Sequence, residues 1–432
     1  MRIFFSVGEP SGDLHGSNLI RRLKSHDASI QCVGYGGPKM AAAGCILHFE
    51  LTTLAVMFIG KVLANWRLFF RLIDEANSYF RDQTVDAVVL IDYPGFNWWI
   101  ARKAKKHGIP VFYYGVPQVW AWAPWRVRKI RRFVDHVLCK LPFEVDWFAQ
   151  RNCQATYVGH PYFDQLVHQT YDQTFIDSLQ AGRRPVLTLL PGSRDQEVEN
   201  NLPILLKAAS LVAASVPTVK VAVACYNEHQ RQLAERLVDQ QQISLELFTG
   251  RTPELMKAAS VCLACSGSVS LELLYHRQPT VIVYKVKRWV MVAQSIMLRT
   301  RFITLVNLIA TKDIRKMTWR PYDPDCNQAD PAVMPEYLTA GEPSRQVAAH
   351  AIAWLKDTNL RQEKVHQLDE LARRFAKPGA SDQAADFILR QLGSKPAALD
   401  LVSSNCHTAC APSPSGPNWK QLEDRHETHQ LP

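Results

Sequence analysis

Residues Pro185–Glu199 read PVLTLLPGSRDQEVE, an aliphatic run from Val186 to Leu190 that stops at Pro-Gly-Ser-Arg. A short apolar run closed by turn residues and followed by a helical pattern is a buried strand feeding a helix. The N-terminus is built alike: Arg2 to Val7 is apolar and runs into Gly8-Glu9-Pro10-Ser11-Gly12-Asp13. Two such starts in one chain predict two open α/β domains with a cleft between them. The second start also carries chemistry. Gly192 lets the backbone approach a ligand, Ser193 donates a hydrogen bond, and the Arg194 guanidinium can fork onto a phosphate pair.

Outward from these starts, strands and helices alternate. The first half predicts strands at Ile3–Val7, Gln31–Val33, Val85–Ile91, Pro110–Tyr114, His136–Cys139 and Ala155–Val158. Helical patterns lie between them near Asp13–Ser25, Trp66–Gln83, Trp98–Lys106, Val127–Val134 and Glu144–Arg151. The second half predicts strands at Val186–Leu190, Lys220–Ala224, Ser244–Phe248, Val261–Ala264 and Thr280–Val283, with Pro203 as the first residue of a helix to about Ala214. Apolar strands separated by helices form parallel sheets covered on both faces. Thr311–Val333 is polar and proline-bearing and reads as a surface insertion. Ser344–Leu392 returns to helical periodicity, and the Pro-, Ser-, Asn- and Gln-rich segment from Ser394 onward reads as a disordered tail.

The 432 residues exceed one ordinary core, and 47% hydrophobic with 21% charged residues is a globular composition. A net charge of +10 suits an anionic partner such as phosphate, nucleic acid or an acidic membrane. The start has only a short apolar run before Glu9, and no stretch reaches the ~18 apolar residues of a spanning helix, so a cytoplasmic protein is expected. The ten cysteines are scattered, mostly in apolar strands, and the Cys262/Cys265 pair reads as structural. The tail pair Cys406 and Cys410 around His407 is weaker still as a metal site, so no metal is expected.

Several motifs follow strands. Glu9 in GEPSGDLHG suits hydroxyl groups better than phosphate, because its charge repels an anion; the turn reads equally as a tight connection. VGYGGPKM (Val33–Met40) reads as a structural turn. Asp92 in LIDYPGFN sits beyond the carboxyl end of an apolar strand, where open α/β sheets bind ligands. It suits proton abstraction from an alcohol and reads equally as a helix cap. SGSVSLE (Ser266–Glu272) offers hydroxyl and amide donors from Ser266 and Gly267, with Glu272 placed to accept from a ribose; it too reads as an N-cap.

Three apolar–basic stretches remain. Val116–Phe133 has three tryptophans before five basic residues, and Leu54–Leu72 and Lys285–Arg301 mix large apolar with basic side chains. Their apolar content favours an anionic bilayer over nucleic acid; a solvated basic helix with core tryptophans is the alternative for Val116–Phe133 and core packing for Leu54–Leu72.

GEPSGD, GYGGPKM, LAVMFI, IDYPGFN, VWAW, LPFE, VGHP, LLPGSR, SGSVSLE and NLIA occur in the order seen in the lipid-A-disaccharide synthase family, which the chain resembles over roughly residues 1–310 and again around Met334–Tyr337. The resemblance implies an inverting glycosyltransferase with two Rossmann-like domains (GT-B architecture). It assigns residues 1–165 to the acceptor domain, 166–343 to the UDP-donor domain with its insertion near 311–333, 344–393 to C-terminal helices packing back, and 394–432 to the tail. It further implies transfer of 2,3-diacylglucosamine from UDP-2,3-diacylglucosamine to the 6-hydroxyl of 2,3-diacylglucosamine 1-phosphate, without a cofactor. Asp92 matches the family's catalytic base and Glu9 contacts the acceptor or assists. Ser193, Arg194, Ser266, Gly267, Glu272 and Asn307 match the donor side, with Arg194 on the diphosphate, and His160 falls near the interdomain hinge. Phe58, Trp66, Phe69 and Phe70 would meet acyl chains or an anionic membrane surface, making the protein peripheral on the inner face of the cytoplasmic membrane, as monomer or homodimer.

The chain departs from the family pattern at Val116-Pro117-Gln118, usually Ser-Pro-Ser, and in VMFIGK, where Phe58 replaces a small residue and Lys61 an acid. Both departures touch the acceptor side. The alternatives are another GT-B UDP-sugar transferase or epimerase, or a non-catalytic basic protein that binds membrane or nucleic acid.

Overall fold

A computed structural model describes residues 1–53, 66–238, 243–311, 313–315, 322, 324 and 332–393, without the side chains of 294–296. Seven strands make the first sheet: β1 (Arg2–Val7), β2 (Gln31–Gly36), β3 (Cys45–Glu50), β4 (Ala87–Ile91), β5 (Val111–Tyr114), β6 (His136–Cys139) and β7 (Ala155–Tyr157). Their order is β3-β2-β1-β4-β5-β6-β7, and each neighbouring pair is parallel. The second sheet holds β8 (Val186–Leu190), β9 (Lys220–Cys225), β10 (Glu246–Thr249), β11 (Val261–Cys265), β12 (Thr280–Lys285) and β13 (Glu336–Thr339). Its order is β10-β9-β8-β11-β12-β13, again parallel throughout. The doubly wound α/β architecture expected from the sequence is therefore present twice.

The central strands are buried along their whole length, as at β4 (AVVLI) and β8 (VLTLL). Helices on both faces exclude water from such runs, which is why they lack polar alternation. The strand order places a topological switch between β1 and β4 in one sheet and between β8 and β11 in the other. Connections leave these paired strands in opposite directions, so a crevice opens beyond their carboxyl ends. Glu9 follows β1 and Asp92 follows β4; Gly192–Arg194 follow β8 and Ser266 follows β11.

Three details differ from the sequence reading. β3 and β13 were not expected. Both are edge strands with one neighbour; alternate residues of β3 reach solvent, and β13 opens on the buried acid Glu336, so neither reads as an apolar run. Pro203 does not start a helix but lies inside Asp195–Ser215. Val198, Leu202, Leu205, Ala209 and Val212 are buried on one face of that helix, and their packing outweighs the backbone hydrogen bond that proline cannot make.

The helices after residue 343 divide their packing. Ser344–Lys356 joins the core on one face of the second sheet, and Thr358–Phe375 the core on the other. Ala380–Gln391 returns to the first sheet, where Ala384, Ala385, Ile388 and Leu389 pack with Ile3, Phe5, Leu19 and Val89. Asp164 fastens this return, accepting the N–H groups of Gly379 (2.6 Å), Ala380 (3.1 Å) and Ser381 (2.8 Å). The tail and most of the 311–333 insertion lie outside the described residues.

Candidate active site

Asp92 owes its place to a strained turn. Asp92 and Tyr93 both have left-handed backbones, with φ of 48° and 42°. Such angles cost a non-glycine residue of order 1–3 kcal/mol and need surrounding structure to hold them. Asn97, fully buried, supplies the hold: its Nδ2 donates to the carbonyls of Asp92 (2.8 Å), Ile91 (3.2 Å) and Ser6 (3.2 Å). The Tyr113 hydroxyl donates to the Asp92 carbonyl at 2.7 Å. Gly8 completes the fit, because a Cβ there would stand 2.3 Å from the Tyr93 ring. The glycine turn after β1 thus makes room for the turn after β4. Asp92 does not cap the following helix, Pro94–Lys106, whose N-cap is Tyr93.

The Asp92 carboxylate, one-fifth exposed, faces Lys140 Nζ at 3.6 Å. Glu9 lies beside it at the mouth of the crevice. Its residue is exposed as a whole, yet partial screening of the carboxyl raises its pKa; repulsion from Asp92 adds to this, while Lys140 and Arg194 oppose it. His15 and His160 lie deeper. Burial, then the Lys140 charge, push His15 down to about 4 and His160 well below its ordinary value, so both rings are neutral at pH 7.

Beyond β8 and β11 an opening of about 550 Å³ is lined by Ser193, Arg194, Ser266, Gly267 and Glu272 together with Tyr162, Glu197 and Tyr226. The Glu197 carboxylate accepts the backbone N–H groups of Ser193 (2.9 Å) and Arg194 (3.2 Å) and pairs with Arg194 Nη1 at 2.8 Å. Arg194 itself is 79% exposed, so its remaining donors face solvent. On the opposite wall the Tyr162 hydroxyl donates to Glu272 Oε2 at 2.7 Å, and Glu272 Oε1 is buried without a hydrogen-bond partner. Burial raises the Glu272 pKa and the Tyr162 bond moderates the rise.

Five of the six expected donor-side residues therefore line one opening, and Asp92 and Glu9 share the other crevice. Asn307 does not join them. It is 1% exposed, its Nδ2 donates to Met334 O (2.8 Å) and Glu336 Oε2 (2.9 Å), and its Oδ1 accepts from Met334 N at 2.9 Å. With every polar group engaged inside the protein, it fastens β13 to the helix Leu305–Ala310. Of the expected acyl or membrane contacts, Phe58 lies outside the described residues. Trp66 and Phe70, four apart on one helix, are exposed and meet edge-on at 6.1 Å, with Trp99 next to Phe70. Phe69 turns inward instead, packing on Phe96 at 5.6 Å, because consecutive helix positions face different directions. Trp120 is buried, whereas Trp122 and Trp125 are exposed. Among the described residues no three His, Cys, Asp or Glu side chains cluster to hold a metal.

Sequence reasoning missed Lys140, Asn97, Glu197 and Tyr162. Glu197 had a local signal, an acid three residues after a helix start. Lys140 had one too, a charge closing an apolar strand. Tyr162 had none, since its partner lies 110 residues away.

The sequence profile of lipid-A-disaccharide synthetase matches residues 3–331. The lipid-A-disaccharide synthase of Myxococcus xanthus is 31% identical over 394 residues, covering 90% of this chain and 97% of that protein. That of Psychromonas ingrahamii is 34% identical, covering 73% and 84%. Among solved structures, a Neisseria meningitidis UDP-GlcNAc 2-epimerase bound to UDP-GlcNAc superposes with a TM-score of 0.60 at 10% identity, over 90% of this chain and all of that one. Acinetobacter baumannii MurG does so with a TM-score of 0.52 at 11% identity, over 90% and 99%. At such identities the structures show a shared GT-B fold alone.

Proposed function

The chain belongs to the lipid-A-disaccharide synthetase family, a glycosyltransferase of lipid A disaccharide synthesis, and from that premise we propose how its two crevices divide the reaction. The donor is UDP-2,3-diacylglucosamine and the acceptor 2,3-diacylglucosamine 1-phosphate. Asp92 takes the proton of the acceptor 6-hydroxyl while that oxygen attacks the donor's anomeric carbon from the face opposite the nucleotide. The bond from that carbon to the diphosphate oxygen breaks in the same displacement, so the configuration inverts and UDP leaves. Arg194 and Ser193 meet the charge that builds on the diphosphate, which lowers the barrier most where it is greatest, at the departing oxygen. Glu272 accepts from the ribose hydroxyls, and Ser266 and Gly267 line the nucleotide. Glu9, with its raised pKa, contacts the acceptor beside Asp92.

One observation carries this reading: Asp92 beyond β4 and the Ser193–Arg194 turn beyond β8 each stand at the carboxyl end of a strand at a topological switch point, and Arg194 lines an opening there with Ser266, Gly267 and Glu272. Candidate base and candidate leaving-group cation therefore occupy equivalent ends of the two sheets. The measurement is UDP release with defined acylated sugars. Release is expected only when donor and acceptor are both present, and Asp92→Ala is expected to abolish it by about 10²–10⁴-fold while UDP still binds. Normal turnover by that variant removes Asp92 from the mechanism; rapid turnover of non-acylated UDP-N-acetylglucosamine removes the lipid substrates.

The acyl chains call for an apolar approach. Trp66, Phe70 and Trp99 are 54%, 48% and 41% exposed, with Arg67 over Trp66 and Arg102 over Trp99. Aromatic rings flanked by guanidinium groups suit the headgroup region of an anionic bilayer. We assign this face to a peripheral contact with the inner leaflet of the cytoplasmic membrane.

A further inference from the structure

Lys140 belongs to none of the roles above, yet it is the cation against which the candidate base rests. It follows β6, two strands from β4, and crosses the end of β5 to reach Asp92. The crossing depends on Gly115: a Cβ there would stand 3.1 Å from Lys140 Nζ and 3.3 Å from Cδ and Cε. At its base the Lys140 N–H donates to Glu144 Oε2 at 2.9 Å, and Glu144, fully buried, also accepts from Trp120 Nε1 and Leu141 N. Backbone and stem are thus both fixed. The side chain is only 17% exposed, and its ammonium stands 3.6 Å from Asp92 Oδ1.

An exposed ion pair of this length would have little effect. Here both charges have lost most of their water, and mutual attraction replaces it. The ionisable groups that bear on this place are Glu9 and His15 beside and within the helix Pro10–His26, Tyr113 and Tyr114 on β5, and His160 and Asp164 after β7. The histidines are neutral and the tyrosines stay protonated, so neither type offsets the acids. Arg194 bears on Glu9, and Lys140 is the cation that stands against Asp92 itself. An uncharged residue at 140 would leave Asp92 beside Glu9 with like-charge repulsion and no partner, which favours the protonated acid.

We propose that Lys140 is a positioning residue for the transfer reaction, holding the Asp92 carboxylate in place as its nearest opposite charge to receive the acceptor proton. The acid side of the pH profile of turnover reads that role. The inference rests on the reading of Asp92 as general base. It deepens that reading by naming what keeps the base ready.

The test compares Lys140→Met and Lys140→Arg with the unaltered full chain, measuring kcat/KM from pH 5 to 9 with both acylated sugars, UDP affinity and thermal unfolding. In Lys140→Met the acid limb is expected to move up by about one pH unit or more, the range for loss of an opposite charge at this distance. The rate then falls about tenfold or more on the acid side and recovers toward alkaline pH, with UDP affinity unchanged. Lys140→Arg keeps the charge and is expected to keep the limb. An unmoved limb in Lys140→Met, or a loss equal at every pH and matched by a fall in unfolding temperature, overturns the proposal. If the unaltered chain does not turn over these sugars, the functional reading fails by itself. Lys140 is then judged by NMR titration of the Asp92 carboxyl carbon in both proteins, where an equal midpoint overturns the proposal.

Discussion

At the end of β4 the chain twists two consecutive residues into left-handed backbone and ties the turn down through Asn97 and Tyr113. At the end of β8 the backbone of Arg194 is extended and its side chain reaches out, held on one side by Glu197. The two turns share a topology, a strand carboxyl end at a switch point, and differ in stiffness. The difference fits the tasks proposed for them. A base must meet one hydroxyl at hydrogen-bond range, where a misplacement of an ångström is costly. A cation that serves a diphosphate must let the nucleotide enter and leave, and needs donors left free.

The contrast can be broken most sharply at Arg194. Arg194→Ala is expected to lower kcat by about 10²–10³-fold, the range for losing one preorganised donor to developing charge, and to weaken UDP binding. It is expected to leave thermal stability unchanged, because the side chain is largely in solvent. A stable variant with full turnover would move the leaving-group role elsewhere.

Asn97→Ala gives the opposite signature. It releases the Asp92 turn and orphans buried carbonyls, so urea unfolding is expected to show a loss of about 1–3 kcal/mol. Turnover falls with it while UDP affinity holds. Unchanged stability would mean the left-handed turn stands without this tether.

The smallest effect is expected on the surface. Replacing Trp66 and Phe70 by Ser removes apolar area that the monomer does not use, so kcat toward detergent-dispersed sugars stays and cosedimentation with phosphatidylglycerol vesicles falls. Equal sedimentation of the two proteins would place membrane contact on another face.

The fold was legible because both sheets are buried on both faces, and an aliphatic run such as VLTLL has few other uses. Cys45–Glu50 escaped because alternate residues reach solvent, and Glu336–Thr339 because it opens on a charged residue, Glu336, that is buried. The candidate site was legible where chemistry sits on its own strand end, as at Asp92 and Arg194. It was illegible where a partner comes from afar. Lys140 reaches Asp92 across 48 residues of sequence and Tyr162 reaches Glu272 across 110. Asn307 shows the converse case. A motif position implied a ligand contact, and only its hydrogen bonds reveal a side chain already spoken for within the protein.

The return of Ala380–Gln391 to the first sheet has a consequence for biosynthesis. The apolar face beside Phe5 and Leu19 is finished by Ala384, Ala385, Ile388 and Leu389, which leave the ribosome long after β7 is complete. At 5–20 residues per second that interval is on the order of 10–50 s. During it the earliest-made sheet carries an uncovered greasy flank in a crowded cell. The first part of the chain to emerge is thus among the last to be sealed.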